Sequence, residues 1–137
     1  MLAVDTNIFL ELFLKQEKHE ECKAFLALIR DGKIEAMVSS FNVASLVLEL
    51  IRERVSLSDI RRILMGLSSA RGLRVYPTTL IDHIKAFELM VEHNLDFDDA
   101  VTLQCALSCR CDAMVTYDKH FKNTSLSRKT PADVLTG

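Results

Sequence analysis

The chain has 137 residues, of which 49% are hydrophobic and 26% are charged, as is typical of a single globular domain, here residues 1–137. It has no apolar stretch of the roughly 18 residues that a membrane span requires and no basic segment leading into an apolar run, which would mark a secretory signal, so we expect a cytoplasmic protein without a membrane partner. The net charge of −2 argues against a protein that binds nucleic acid through positive charge alone. It does not exclude a metal-dependent nuclease, because bound cations supply positive charge locally.

The first half of the chain predicts two strands and four helices. Between the two apolar runs of strand length, residues such as Cys22, Phe25 and Ile29 recur at helical spacing, and Asp31-Gly32 is typical of a helix end. The predicted elements are strand 1–4, helix Thr6–Phe13, helix Glu17–Arg30, strand Ile34–Val38, helix Phe41 to about Val55, and helix Ser56 to about Leu67.

The second half predicts three strands, two helices and a terminal helical piece. The predicted elements are strand Leu73–Tyr76, a helix capped by Thr78 or Thr79 and reaching His93, helix Asp96 to about Arg110, strand Asp112–Tyr117, a short strand near Ser125–Ser127, and a helical turn at Pro131. Strands that alternate with helices indicate an α/β fold with a mostly parallel central sheet of four to five strands, covered on both faces.

Two of the predicted strands lead into an aspartate. Asp5 follows the first strand, and Asp118 follows the strand that ends at Tyr117. Ligands bind at the carboxyl edge of the strands in an α/β sheet, so the two carboxylates are expected to meet at one spot. Clustered carboxylates repel each other unless a proton or a cation relieves the repulsion, and this pair therefore predicts a metal site.

Polar residues flank both aspartates. Asn7 and Thr116 each lie two residues from one of them, where an amide and a hydroxyl would orient a carboxylate, a water or a phosphate, or would serve as turn residues. Lys119 and His120 indicate a surface loop, with phosphate contact as the alternative.

A third acid, Glu49, lies within the apolar stretch Ala44–Ile51. A carboxylate buried there without a partner would be costly, so Glu49 is either a ligand of the same site or a residue that faces water on an amphipathic helix. The presence of the other acids favours the interpretation of Glu49 as a ligand.

The segment Asp96-Phe-Asp98-Asp99-Ala100 places three more acids at the start of an apolar helix. Acids in a first helical turn are common caps, and we expect Asp96 to be a cap or an outer partner of the site. Asp99 shares a face with Asp96 and precedes the small Ala100, which favours Asp99 as the ligand over Asp98.

The predicted site therefore has four oxygen ligands and no nitrogen or sulfur ligand. All-oxygen sites suit Mg²⁺ or Mn²⁺, and such ions with open positions recur where phosphodiesters are cut. The Cys105, Cys109 and Cys111 cluster fits no common zinc spacing and is interpreted as small buried hydrophobes. The predicted metal ligands and catalytic residues are Asp5, Glu49, Asp99 and Asp118.

Three segments together resemble the motifs of the PIN-domain (PilT N-terminus) family. Val4-Asp-Thr-Asn-Ile-Phe9 resembles its first motif, Leu95–Val101 its third, and Val115-Thr-Tyr-Asp-Lys-His-Phe121 its fourth. The second motif departs from the pattern, because more residues than usual separate Ser40 from the acid. Glu53 is therefore the alternative to Glu49.

The resemblance implies a three-layer α/β/α sandwich with Mg²⁺- or Mn²⁺-dependent cleavage of single-stranded or structured RNA. Many members of this size are similar to VapC toxins, which a small antitoxin protein holds inactive, and many form homodimers. A PIN-like RNA-processing nuclease without an antitoxin and a catalytically silent RNA- or protein-binding scaffold remain the alternatives. A haloacid dehalogenase-type phosphatase would need an aspartate where Asn7 stands, and a receiver domain would need an acid beside Asp5 in place of Val4.

Overall fold

The computed structural model describes residues 1–137 and contains five strands, seven α-helices and one 3-10 turn. The strands are β1 (Leu2–Val4), β2 (Ala36–Ser39), β3 (Leu73–Tyr76), β4 (Ala113–Val115) and β5 (Ser127–Lys129). They form one parallel sheet in the order β3-β2-β1-β4-β5. The chain order reverses at β1, which lies between β2 and β4, and this switch point is where α/β sheets bind ligands.

Each helix begins where a local polar side chain accepts a backbone N–H, except α2. Asp5, Ser39, Ser56, Thr79, Asp96 and Thr130 cap the helices that follow them, in keeping with the usual cap preferences. The helices are α1 (Thr6–Phe13), α2 (His19–Arg30), α3 (Ser40–Arg52), α4 (Leu57–Ser69), α5 (Leu80–His93), α6 (Phe97–Ser108) and α7 (Pro131–Thr136), and the 3-10 turn is Lys119–Phe121.

Alternate side chains of the strands enter two separate cores. Met37 and Met114 pack with α5 and α6 on one face of the sheet, and Val38 and Val115 pack with α1 to α4 on the other. α7 packs against α2 and β5. The predicted three-layer α/β/α sandwich with a parallel sheet is confirmed, with five strands.

Several predicted boundaries are wrong by a few residues. The last strand is Ser127–Lys129 rather than Ser125–Ser127, because its register is set by pairing of Val115 with Lys129 in the neighbouring strand. The fourth strand is limited to Ala113–Val115.

The four cysteines are free thiols, of which Cys22, Cys105 and Cys111 are buried and Cys109 is half-buried. Burial raises the pKa of the Cys105 and Cys111 thiols to about 11, so they stay protonated and pack as apolar side chains. No helix of the structure is both long enough and apolar enough to cross a membrane.

Candidate metal centre

The site is a cleft of about 260 Å³ at the carboxyl ends of β1 and β4. The two strands are neighbours in parallel register, with Val4 opposite Val115. The residues that follow, Asp5 and Thr116, therefore come to lie side by side although 111 positions separate them in sequence. The acids that line the cleft are Asp5, Glu49, Asp98, Asp99 and Asp118.

Asp5 forms the floor of the cleft and is only 8% exposed. Its Oδ1 accepts the Thr6 backbone N–H at 2.7 Å, which caps α1. Its Oδ2 accepts the Thr116 hydroxyl at 2.8 Å and the Asn7 Nδ2 at 3.1 Å. These bonds hold the carboxylate in one orientation before any ligand arrives.

Asn7 and Thr116 also bind each other, since Asn7 Nδ2 donates to Thr116 Oγ1 at 3.1 Å. The same Thr116 oxygen accepts the Asp118 backbone N–H at 2.9 Å. Thr116 thus joins the two strand-end aspartates, and of the two roles considered for Asn7 and Thr116, orienting group or turn residue, these contacts favour the first.

Asp99 and Asp118 stand together at the mouth of the cleft with His120. The His120 Nδ1 lies 3.3 Å from Asp99 Oδ2 and 3.2 Å from Asp118 Oδ1. One ligand atom from each of the three residues falls within a group no more than 4.8 Å across. Asp118 also caps the following 3-10 turn through the His120 backbone N–H at 2.9 Å.

The crowding of acids changes their protonation. Burial raises the pKa of Asp5 to about 6, with a further contribution from the charge of Asp118. Burial also raises the pKa of Asp99 to about 7, and the charges of Asp118 and Asp96 add to that shift. The fold therefore holds carboxylates near one another at a cost in free energy, which a cation would relieve.

Glu49 lines the cleft, whereas its alternative Glu53 does not. The Glu49 side chain is about one-third exposed and accepts from Arg52 Nη1 at 3.0 Å, one turn along α3. Glu53 is the exposed residue that ends this helix. The position of Glu49 agrees with the predicted assignment, and its role as a ligand stays a prediction.

The three acids at the start of α6 have different positions. Asp96 is the N-cap, and its Oδ1 accepts the Asp99 backbone N–H at 2.9 Å. Asp99 faces the cleft. Asp98 also lines the cleft from an exposed position at its rim, although helical spacing indicated that its side chain points elsewhere.

The sequence analysis missed Asn42, a buried residue that also lines the cleft. Its Nδ2 donates to Thr6 Oγ1 at 2.7 Å and to Thr102 Oγ1 at 3.1 Å, and its Oδ1 accepts from Ser39 Oγ at 2.6 Å. Asn42 thereby ties together the helices α1, α3 and α6 near their N-terminal ends. Its partners Thr6 and Thr102 are distant in sequence, and no local sequence signal marks Asn42.

The residues present fit a divalent cation. The cleft offers carboxylate oxygens, the donors that hard divalent ions prefer. The Asn7 Oδ1 is buried and has no hydrogen-bond partner, which is costly unless a bound water or ion completes it. Asp5, Glu49, Asp99 and Asp118 all line this cleft, and their roles as ligands stay predictions.

The family model of the PIN domain matches residues 2–120. The chain belongs to the PIN-domain family. The match includes every acid of the cleft, from Asp5 to Asp118. No curated protein sequence matches the chain significantly.

Solved structures share the fold of this PIN domain over nearly its whole length. A toxin–antitoxin complex from Klebsiella pneumoniae is 20% identical, with 96% of this chain and 98% of that chain covered and a TM-score of 0.73. VapC20 of Mycobacterium tuberculosis, a sarcin–ricin loop cleaving toxin, is 19% identical, with 92% and 96% covered and a TM-score of 0.75. VapBC2 of Rickettsia felis, bound to a promoter DNA fragment, is 16% identical, with 94% and 97% covered and a TM-score of 0.68.

Proposed function

We propose that this PIN domain is a Mg²⁺- or Mn²⁺-dependent endoribonuclease that cleaves single-stranded RNA, and that it is the toxin of a toxin–antitoxin pair. The observation that carries the proposal is the meeting of Asp5, Glu49, Asp99 and Asp118 in one cleft at the carboxyl edge of the sheet. The likeness to a loop-cleaving toxin and to toxin–antitoxin complexes supports the substrate class and the partner.

The chain's own residues prepare the cleft for this chemistry. The hydrogen bonds from Thr6, Thr116 and Asn7 fix Asp5, so that its carboxylate need not reorganise during the reaction. The free acceptor on Asn7 would hold a water or complete a cation shell. A bound divalent cation would lower the pKa of a water and stabilise charge on the departing oxygen of the phosphodiester.

The partners would use surfaces away from the cleft. An apolar groove of about 530 Å³ runs between α1, α2 and α4, and it contains no acid. The cations that line the groove are Lys15, Lys23, Arg30 and Arg62. Its chemistry suits an acidic amphipathic helix, and we assign it to the antitoxin.

A homodimer would use α5, which carries Leu80, Ile84, Phe87 and Val91 at the spacing of one helical stripe, each more than half exposed. With the adjoining Ile81, these residues form a stripe of exposed apolar side chains, a feature that marks interaction surfaces.

Cleavage of an RNA pool in Mn²⁺ tests the proposed activity. Replacing Asp5 with Asn should lower the cleavage rate at least about a hundredfold, because it removes a charge from the centre of the ligand set. Folding, followed by circular dichroism, should remain intact.

Glu49→Gln and Glu53→Gln form a matched pair on α3. We expect the first to lower the cleavage rate and the second to leave it within about twofold of wild type, since Glu53 lies outside the cleft. A wild-type rate of RNA cleavage in Asp5→Asn would refute the proposed nuclease activity. Mn²⁺ binding by the wild-type protein without any RNA cleavage would favour a silent scaffold.

A further inference from the structure

His120 adds a nitrogen donor to a site that otherwise offers oxygen. The resemblance to the PIN motifs did not assign it a role, and the sequence predicted a surface loop, with phosphate contact as the alternative. Its Nδ1 lies 3.3 Å from Asp99 Oδ2 and 3.2 Å from Asp118 Oδ1, so the ring stands beside both carboxylates at once.

The position of His120 is fixed by the turn that carries it. The turn residue Phe121 is fully buried. Arg128 donates to the carbonyl oxygens of Tyr117 at 3.0 Å and Asp118 at 3.1 Å, which fastens the segment that leads into the turn. The His120 backbone N–H binds Asp118 Oδ1. The imidazole is 68% exposed and contacts two carboxylates of the cleft from an anchored backbone.

The separations between the three residues leave room for a shared cation, and the contact to Asp99 also meets the geometry of a long hydrogen bond. A direct N–H···O bond to a carboxylate is usually about 2.7–2.9 Å long, and both contacts here are longer. Two ligands at right angles around an ion with bonds of roughly 2.1–2.2 Å lie about 3.0–3.1 Å apart, close to the observed 3.2 and 3.3 Å.

We propose that His120 is a nitrogen ligand of the cation site and makes it select first-row transition ions such as Mn²⁺ over Mg²⁺. The inference rests on the proposed function, because it needs the cation site that Asp99 and Asp118 share. Imidazole is a good ligand for first-row transition ions, whereas Mg²⁺ strongly prefers oxygen. The gain in metal affinity from the imidazole nitrogen should grow from Mn²⁺ to Co²⁺ to Ni²⁺.

Pulsed electron paramagnetic resonance of the Mn²⁺-loaded protein tests the ligand directly. Wild type should show nitrogen-14 coupling from a bound imidazole. The coupling should vanish in His120→Gln and persist in His19→Gln, the matched variant of a histidine on α2. A wild-type spectrum without nitrogen coupling overturns the proposal.

Calorimetric titration of the full chain tests the selectivity. His120→Gln should weaken Mn²⁺ binding about tenfold and Ni²⁺ binding more, while Mg²⁺ binding changes less than about threefold. If His120 instead acts only as a counter-charge that competes with the ion, the variant will bind all three ions more tightly, which also overturns the proposal.

The Asp118→Asn variant separates this inference from the proposed function. If Asp118→Asn loses Mn²⁺ binding but the Mn²⁺-loaded wild type shows no nitrogen coupling, only the role of His120 is refuted and the cation site stands. Mn²⁺ binding that is absent from wild type, or unchanged in Asp118→Asn, would refute the cation site and the inference with it.

Discussion

Asp99 shows how a single residue links the stability of this protein to its proposed chemistry. Its pKa is raised to about 7, first by burial and then by the charges of Asp118 and Asp96, whereas an aspartate in the unfolded chain titrates near 4. The folded state therefore binds more protons than the unfolded state between these values. Linkage then requires that stability falls as pH rises from about 4 through about 7.

We expect the metal-free protein to lose stability over this range, and the Asp99→Asn variant to lose less of it. At pH 8 the variant should be more stable than wild type by about 1 kcal/mol, a figure that allows for screening at the open cleft mouth. Thermal unfolding in chelator between pH 5 and 8 measures the effect.

Asp59 provides the control, because it is an exposed acid on α4 outside the cleft. Asp59→Asn should leave the pH dependence as it is in wild type. If stability falls equally steeply with pH in wild type and in Asp99→Asn, the free-energy cost assigned to charging Asp99 is contradicted. Divalent ions should raise the melting temperature of wild type more than that of the variant, since they relieve the same repulsion.

Residues of the site differ in how far the sequence could predict them. Asp5, Asp99 and Asp118 were predictable because each follows a strand or opens a helix, which are local patterns. Asn42 was not, because its partners Thr6 and Thr102 lie 36 and 60 positions away. A buried amide that joins distant helices leaves no periodic pattern in the chain.

At the scale of single elements, the sequence predicted α1 and β3 with their observed bounds. Asp5 caps α1, and a cap depends only on neighbours in sequence. The bounds of β5 were wrong because its residues, Ser127–Lys129, are all polar and give no strand pattern of their own, so that pairing with β4 sets its position. The fold class followed from the alternation of elements, which tolerates such errors.

The apolar stripe of α5 also escaped the sequence analysis, because helical spacing does not say which of two apolar faces is covered. Ala86 and Leu89 face the core, while Leu80 and Val91 are 73% and 88% exposed. A two-fold pairing of the stripes would place Leu80 of one copy near Val91 of the other, since they occupy opposite ends of the stripe.

We expect Val91→Glu to dissociate the dimer, because it places a charge in the apolar contact. Light scattering after gel filtration should show a dimer for wild type and a monomer for the variant. Leu57→Glu is the matched control, since Leu57 on α4 is 74% exposed and lies outside the stripe. A wild-type monomer at micromolar concentration would contradict the assignment of α5.

The whole molecule separates two cavities of opposite character. The cleft is lined mainly by acids and polar residues, and the groove by apolar residues and cations. The net charge of −2 conceals this division. Charge of one sign at each cavity steers different partners to different faces.

The groove predicts binding of an acidic amphipathic helix. A designed peptide with leucines on one face and glutamates on the other should bind wild type. Its Kd should rise more than about tenfold when Lys23 and Arg62 are both replaced by glutamate. Fluorescence anisotropy measures the binding, and added salt should weaken it.

The same double variant should cleave RNA at the wild-type rate, because neither residue lines the cleft. Replacement of Lys33 and Lys122 by glutamate gives a control with the same change in charge outside the groove. Failure of the designed helix to bind, or equal loss of affinity in both double variants, would contradict the assignment of the groove.

A row of aromatic rings connects the outer face of α5 to the cleft. The ring centroid of Phe87 in the stripe lies 5.7 Å from that of Phe97, which lies 6.2 Å from that of Phe41, a residue that lines the cleft. A second copy in contact with Phe87 would thus be separated from the cleft by three rings in each subunit. If pairing of the stripes shifts these rings, the cleavage rate per subunit would depend on the protein concentration.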